Sequence, residues 1–451
     1  MASAAEQLAA NLNFGAFAKA TELRKRIWFT LGALIIYRIG TYVPIPGIDP
    51  RVLGEIFAQQ GGGLLGILNM FAGGALGRMT IFALNIMPYI SASIIIQLLT
   101  AVSPSLETLK KEGEAGRKKI NQYTRYFTVV LATAQAYALA VGLESVHGTI
   151  GPAVVDPGWY FRFSTVVTIV GGTMFLMWLG EQITSRGVGN GISLIIFTGI
   201  VASLPHALIQ MLELGRTGAI SPFVILMLLV LCVAVIFFIV YMERAQRRLL
   251  VQYPKRQVGN RMFGGESSHL PLKLNTSGVI PPIFASSLLL LPATLIGFAG
   301  AGSAEGAGGW IAWIAGQLAH GQPLFMGLYA ALIIFFCFFY TAIVFNPEET
   351  ADNLKKYGGF IPGIRPGKST ADYIDYVLTR ISVIGAGYLT IVCLLPEFLT
   401  SSYSIPFYFG GTSLLIVVTV TMDTVAQVHS HLLAHQYEGL IKKSKLRGSR
   451  R

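Results

Sequence analysis

Near the C-terminal end the sequence places His429, His431 and His435 close together, and the last two stand at i and i+4, one face of a helix if the helix continues there. Imidazoles so spaced can hold a metal ion. A solvated helix end whose histidines meet lipid headgroups needs no metal, and that reading is preferred. The run Pro362-Gly363-Ile364-Arg365-Pro366-Gly367-Lys368-Ser369-Thr370 ends like a phosphate-binding loop. Pro362 stands where that motif requires its first glycine, and no strand signal precedes it. There is no His-Glu-x-x-His, no Gly-x-Ser-x-Gly and no paired intramembrane carboxylate. The residues that could do chemistry therefore point to none: the chain is not expected to be an enzyme, and neither a metal nor a cofactor is expected.

The elements that carry these residues are apolar. Of 451 residues, 53% are hydrophobic and 12% charged, about half the charged share of a typical soluble protein. A helix crossing a bilayer needs about 20 mostly apolar residues, because its backbone polar groups must be satisfied within the segment. Ten stretches meet that rule: 24–43, 79–102, 121–144, 162–183, 191–212, 222–242, 278–298, 324–345, 377–396 and 406–428. Residues 1–23 hold no apolar core followed by a small-residue cleavage site, so the first span is expected to be retained. Cys232, Cys337 and Cys393 all fall inside spans and are odd in number, which fits packing rather than a disulfide framework.

Lys and Arg are split unevenly between the two sets of connections. One set together with both termini carries 29 of the 34, and the other holds only Arg38, Arg51, Arg78, Arg162 and Arg216. Basic loops resist translocation, so both termini are expected in the cytoplasm, as an even number of spans requires. The net charge of +12 then lies mainly on the cytoplasmic face, beside anionic lipids. Two cytoplasmic connections, 243–277 and 346–376, are far longer than a turn needs, which marks them as functional or docking segments.

A coupled carrier needs ionisable groups near the membrane midplane. Here the span centres are free of charge: Arg38, Arg125, Glu181, His206 and Asp423 lie toward span ends, where snorkelling or headgroup contact is the simple expectation. A pore fits better. Between the first two spans, residues 61–74 hold a short apolar core flanked by glycines, too short to cross, which reads as a re-entrant stopper or as an interfacial loop. Span 7 opens with Pro281-Pro282, and span 2 carries Asn85, Pro88, Ser91, Ser93 and Gln97, an unusual polar load. These two spans could form a separable seam, or ordinary small-residue helix packing.

At FALNIMPYISASIIIQLLT (82–100), KKEGEAGRKKINQYTRY (110–126), GTMFLMWLGEQITSRGVGNGIS (172–193), HLPLKLNTSGVIPPIFASS (269–287), FCFFYTAIVFNPEETADNLKKYGGFIPGIRPG (336–367) and PFYFGGTSLLIV (406–417), the chain resembles the SecY family, channel subunits of the bacterial protein translocon. The resemblance runs over about 24–440. It implies an all-α polytopic membrane protein of ten transmembrane helices in two pseudo-symmetric five-helix halves around a central pore, with a cytoplasmic segment 1–23, halves 24–212 and 213–428, and a basic tail 429–451. It implies a pore ring of six isoleucines, Ile86, Ile90, Ile192, Ile196, Ile283 and Ile416, and a plug over 64–74 that includes Leu64, Leu65, Ile67, Leu68, Asn69, Met70 and Phe71. A lateral gate would draw on Ser91, Gln97, Gln135, Ser286 and Leu291.

The same resemblance implies docking of the motor ATPase SecA or the ribosome at Arg247, Arg248, Lys255, Arg256, Arg261, Lys355, Lys356 and Arg365. Partners implied are SecE and SecG, signal peptides and preproteins, with SecD/SecF and YidC as further candidates, in the bacterial inner membrane. Close relatives often carry two adjacent arginines at the tip of the first long loop, where this chain has Asn260-Arg261. Loops 145–161, 203–221 and 299–323 match nothing in the family pattern.

Overall fold

A computed structural model of the chain describes residues 21–49, 51–54, 69, 72–145, 151–218, 221–253, 256–258, 261–263, 267–289, 322–403 and 411–448. Every one of the ten apolar stretches carries a described helix. In the first half these are α1 (Thr21–Gly40), α2 (Met87–Val102), the short α3 (Pro104–Lys111), α4 (Glu114–Ser145), α5 (Trp159–Arg186) and α6 (Gly191–Arg216). The second half begins with α7 (Pro222–Arg244) and strands β1 (Gln246–Gln252), β2 (Arg256–Val258), β3 (Arg261–Phe263) and β4 (Ser267–Lys273). It continues through α8 (Ile280–Leu289), α9 (Pro323–Val344), α10 (Pro347–Lys356), α11 (Lys368–Tyr403) and α12 (Gly411–Gly448). Seven described helices are long and apolar enough to cross a bilayer, eight if the bent α2–α3 pair is one span. The other two stretches hold α1, whose first two turns carry Arg24, Lys25 and Arg26, and α8, whose stretch continues past the described residues.

The second span differs from its expected limits. Residues 81–86 form turns and the helix starts at Met87, not at 79. Met79 and Asn85 adopt φ values of 43° and 49°, a left-handed conformation that no helix interior accepts, and Pro88 occupies the first turn where its missing N–H costs nothing. At the other end Ser103, extended ahead of Pro104, breaks the axis by 97°. Helix α12 instead runs unbroken through the segment expected as a tail, so His429 and His431 lie on it.

Helices within each half pack by close approach. A Cβ on Gly191 would come within van der Waals overlap of the Gly180 carbonyl oxygen, so glycine at both positions lets α5 and α6 touch backbone to backbone. The Asn190 side chain caps α6 by accepting from Ile192 N at 3.2 Å. One apolar core runs through both halves and includes Tyr37, Ile86, Ile90, Ile196, Phe336 and Ile416. Helix α7 buries little beyond Leu228 and Ile239; apolar all round, it is built to face lipid.

The two long connections, 243–277 and 346–376, form a single body added to the bundle. β1 pairs antiparallel with β4, from Gln246 opposite Lys273 to Gln252 opposite Ser267, and β2 pairs with β3. Gln252 and Phe360 exchange both backbone hydrogen bonds at 2.9 Å, joining the first loop to the second. A separate small core of Leu249, Leu272, Ile361, Ile374 and Ile381 seats this platform on α11.

Candidate pore constriction and basic platform

Where the halves meet, Ile86 and Ile90 of the second span, Ile196 of α6, Ile283 of α8 and Ile416 of α12 converge on one cavity with Asn85, Met87 and Ser286. Its volume is about 10 Å³, room for about one water and far less than a hydrated ion needs. The geometry follows from local structure. Ile86 and Ile90 are one turn apart at the start of α2, and the left-handed turn at Asn85 directs that start into the centre of the bundle. Five of the six expected ring isoleucines thus share a space. Ile192 does not line it; it sits a turn away on α6, facing Gly180 of α5. Sequence reading counted Asn85 as polar load in the span and missed it, with Met87, as lining. Their sole signal was proximity to Ile86.

Across the seam between α2 and α8 the described polar contact is weak: Ser287 Oγ donates to Met87 Sδ at 3.8 Å. Ser91 is buried on α2, while Gln97 turns along its own helix and donates to Ser93 Oγ at 3.0 Å. Gln135 is half-buried on α4, which packs along α2. Ser286 donates to Ile283 O at 3.0 Å, and Leu291 lies outside the described residues.

Of the expected plug, Leu64, Leu65, Ile67, Leu68, Met70 and Phe71 lie outside the described residues. Asn69 accepts from Gly77 N through Oδ1 and from Gly74 N through its carbonyl, both at 2.7 Å. Two arginines hold the stretch that follows. Arg38 donates to Gly73 O at 2.8 Å and Arg78 to Gly74 O at 3.0 Å, with the Arg78 guanidinium 4.1 Å above the Tyr42 ring. Snorkelling therefore does not describe Arg38, which donates to the Gly73 carbonyl and to the hydroxyls of Thr41 and Tyr42. Nor does it describe Arg125, which pairs with Glu181 at 2.6 Å and ties α4 to α5.

On the platform Arg247 and Arg248 stand exposed on β1. Lys355 and Lys356 are exposed at the end of α10, a helix started by Asn346, whose side chain accepts from Glu348 N and Glu349 N at 3.1 and 3.4 Å. Arg365 is exposed in the turn before α11, where its carbonyl accepts from Thr370 Oγ1 at 2.9 Å. Arg256 and Arg261 fall on β2 and β3, and Lys255 lies outside the described residues.

An apolar cavity lined from two helical halves, in a bundle that also carries a basic platform built from two loops, is the architecture of a membrane channel. The chain belongs to the SecY family, whose model matches residues 80–425. It is similar to the protein translocase subunit SecY of Escherichia coli K12, 57% identical over 427 residues that cover 95% of this chain and 96% of that one. Its fold matches a SecY channel described as sealed by its plug domain, with a TM-score of 0.65 at 17% identity over 91% of this chain and 92% of that one. It also matches Sec61 of a canine ribosome–channel complex, with a TM-score of 0.58 at 16% identity over 91% and 92%.

Proposed function

We propose that this chain conducts unfolded secretory polypeptides across the bacterial inner membrane and releases hydrophobic segments sideways into lipid between α2 and α8, with both termini cytoplasmic. The observation that carries this is the isoleucine-lined constriction, drawn from both halves and too small for an ion. An apolar collar excludes ions by dewetting, yet its side chains can part around a passing chain without breaking hydrogen bonds. In this reading residues 64–74 serve as a plug, a second seal. The translocase name of its relatives and the ribosome-bound structural neighbour support docking at the exposed arginines and lysines of the platform, which suit acidic motor surfaces and ribosomal RNA phosphates. In this reading SecE and SecG complete the channel, while SecA or the ribosome delivers the chain.

The test is reconstitution with SecE and SecG in proteoliposomes, followed by SecA- and ATP-dependent uptake of a preprotein. Uptake is expected, and Arg365→Glu is expected to abolish it while the protein still inserts. Absence of uptake by the unaltered chain would overturn the channel reading; full uptake by the variant would remove Arg365 from docking.

A further inference from the structure

Between the docking hairpin and the gate helix lie six residues, Leu274 to Val279, joining β4 to α8. They are held on three sides. Leu274 N donates to Ala245 O at 2.9 Å, at the end of α7. The Leu274 carbonyl lies against α11 so closely that a Cβ on Gly385 would stand 2.9 Å from its oxygen. At the centre is Asn275, 4% exposed. Its amide donates to Glu243 Oε1 of α7 at 2.6 Å and to Gly278 O at 3.0 Å, and its Oδ1 accepts from Ser277 Oγ at 3.0 Å. Ser277, 2% exposed, is 3.4 Å from Cys337 Sγ of α9.

Both N–H groups of the Asn275 amide are therefore satisfied by fixed acceptors, one of them a carboxylate, which makes the stronger kind of hydrogen bond. Buried amide networks satisfied in this way tolerate little independent motion of their members, because a donor left without its acceptor loses its water as well. The segment they hold leads directly into α8. Eight residues beyond Asn275 is Ile283 of the constriction, and twelve beyond is Ser287, which meets Met87 across the seam.

We infer that Asn275 is a positioning residue that makes the cytoplasmic hairpin and α8 one mechanical unit, so that a partner displacing the hairpin displaces the gate. The inference rests on the platform being the docking site. Its content is additional: one buried amide, which no docking surface includes, carries the displacement to the seam. Without Asn275 the hairpin is still paired β1 to β4 and still presents Arg247 and Arg248, but the start of α8 is released from α7.

The experiment reads the seam while the platform is loaded. Cysteines are introduced as Met87→Cys and Ser287→Cys in the channel reconstituted with SecE and SecG, and a short bis-thiol reagent measures their proximity with and without SecA and a non-hydrolysable ATP analogue. In the otherwise unaltered channel, SecA is expected to reduce cross-linking. With Asn275→Ala or the milder Ser277→Ala, SecA is expected to bind as before and the reduction to disappear or shrink. Glu243→Gln, which keeps an acceptor for the Asn275 amide, is expected to retain the response. A full response in both Asn275→Ala and Ser277→Ala overturns the inference. So does loss of SecA binding with Asn275→Ala, since the residue would then shape the docking surface itself. If Arg247→Glu with Arg248→Glu leaves both binding and response intact, the docking reading fails, and this inference with it.

Discussion

The two halves are joined differently at the front and at the back of the molecule. At the back, the turn between α5 and α6 is grasped from the other half: Gly189 N donates to Gln427 Oε1 of α12 at 2.9 Å, and α6 packs along α12. The neighbouring Val188 N is held by Thr30 Oγ1 of α1 at 3.0 Å, over a small apolar cluster of Leu23, Val188, Val428 and Leu432. At the front, α2 and α8 meet through apolar side chains and a hydroxyl–thioether contact of 3.8 Å. A buried backbone N–H with an amide acceptor costs about 1–3 kcal/mol to strip of its partner. Polar contacts between membrane helices average about 0.6 kcal/mol, and thioether sulfur is a weak acceptor. The difference supports the sideways opening proposed above: the stronger polar contact lies at the back, the seam that this opening would leave shut.

The strongest way to break this contrast is to equalise the seams covalently. Met87→Cys with Ser287→Cys, bridged by a short cross-linker, should abolish preprotein uptake in the proteoliposome assay and regain it when a cleavable linker is cut; uptake through the bridged channel would show that the front seam need not part. Next in size, Ile416→Asn places an amide in the collar that α12 shares with the front helices. The affinity of the constriction for water should rise by about 1–3 kcal/mol, or roughly five- to 140-fold in resting ion conductance measured in planar bilayers. Ile192→Asn, outside the cavity lining, should leave conductance near that of the unaltered channel; an equal leak would return Ile192 to the ring.

Smaller effects address stability. Gln427→Ala removes the acceptor of the Gly189 N–H from an exposed side chain and should destabilise the detergent-solubilised protein by about 1 kcal/mol, seen as a lower midpoint in thermal unfolding. Ser287→Ala should cost under about 0.6 kcal/mol and leave the midpoint almost unmoved. A reversal of that order would mean that the front, not the back, carries the joint.

Much of this was legible in the sequence because membrane insertion writes itself in composition. Ten helices are found where the apolar stretches stand, since lipid leaves a backbone no other way to satisfy its polar groups. The ring isoleucines were not legible from spacing: Ile192 and Ile196 are equally apolar and share a helix face, yet one lines the cavity and the other faces α5. Arg38 looked like a residue reaching for headgroups, because nothing local says that the carbonyl of Gly73 lies within its reach.

By itself the sequence determined the apolar stretches that become helices, the clustering of basic residues in particular loops and, through long motif strings, the family. Those properties depend on which residues occur and in what order along one segment. Tertiary structure alone decided that two separate loops become one platform, that Asn85 and Met87 join the collar, and that Gln427 and Asn275 tie elements far apart in the chain. The physical reason is that a hydrogen bond or a shared cavity is set by distances of a few ångströms between segments, and such distances exist only after the helices have packed.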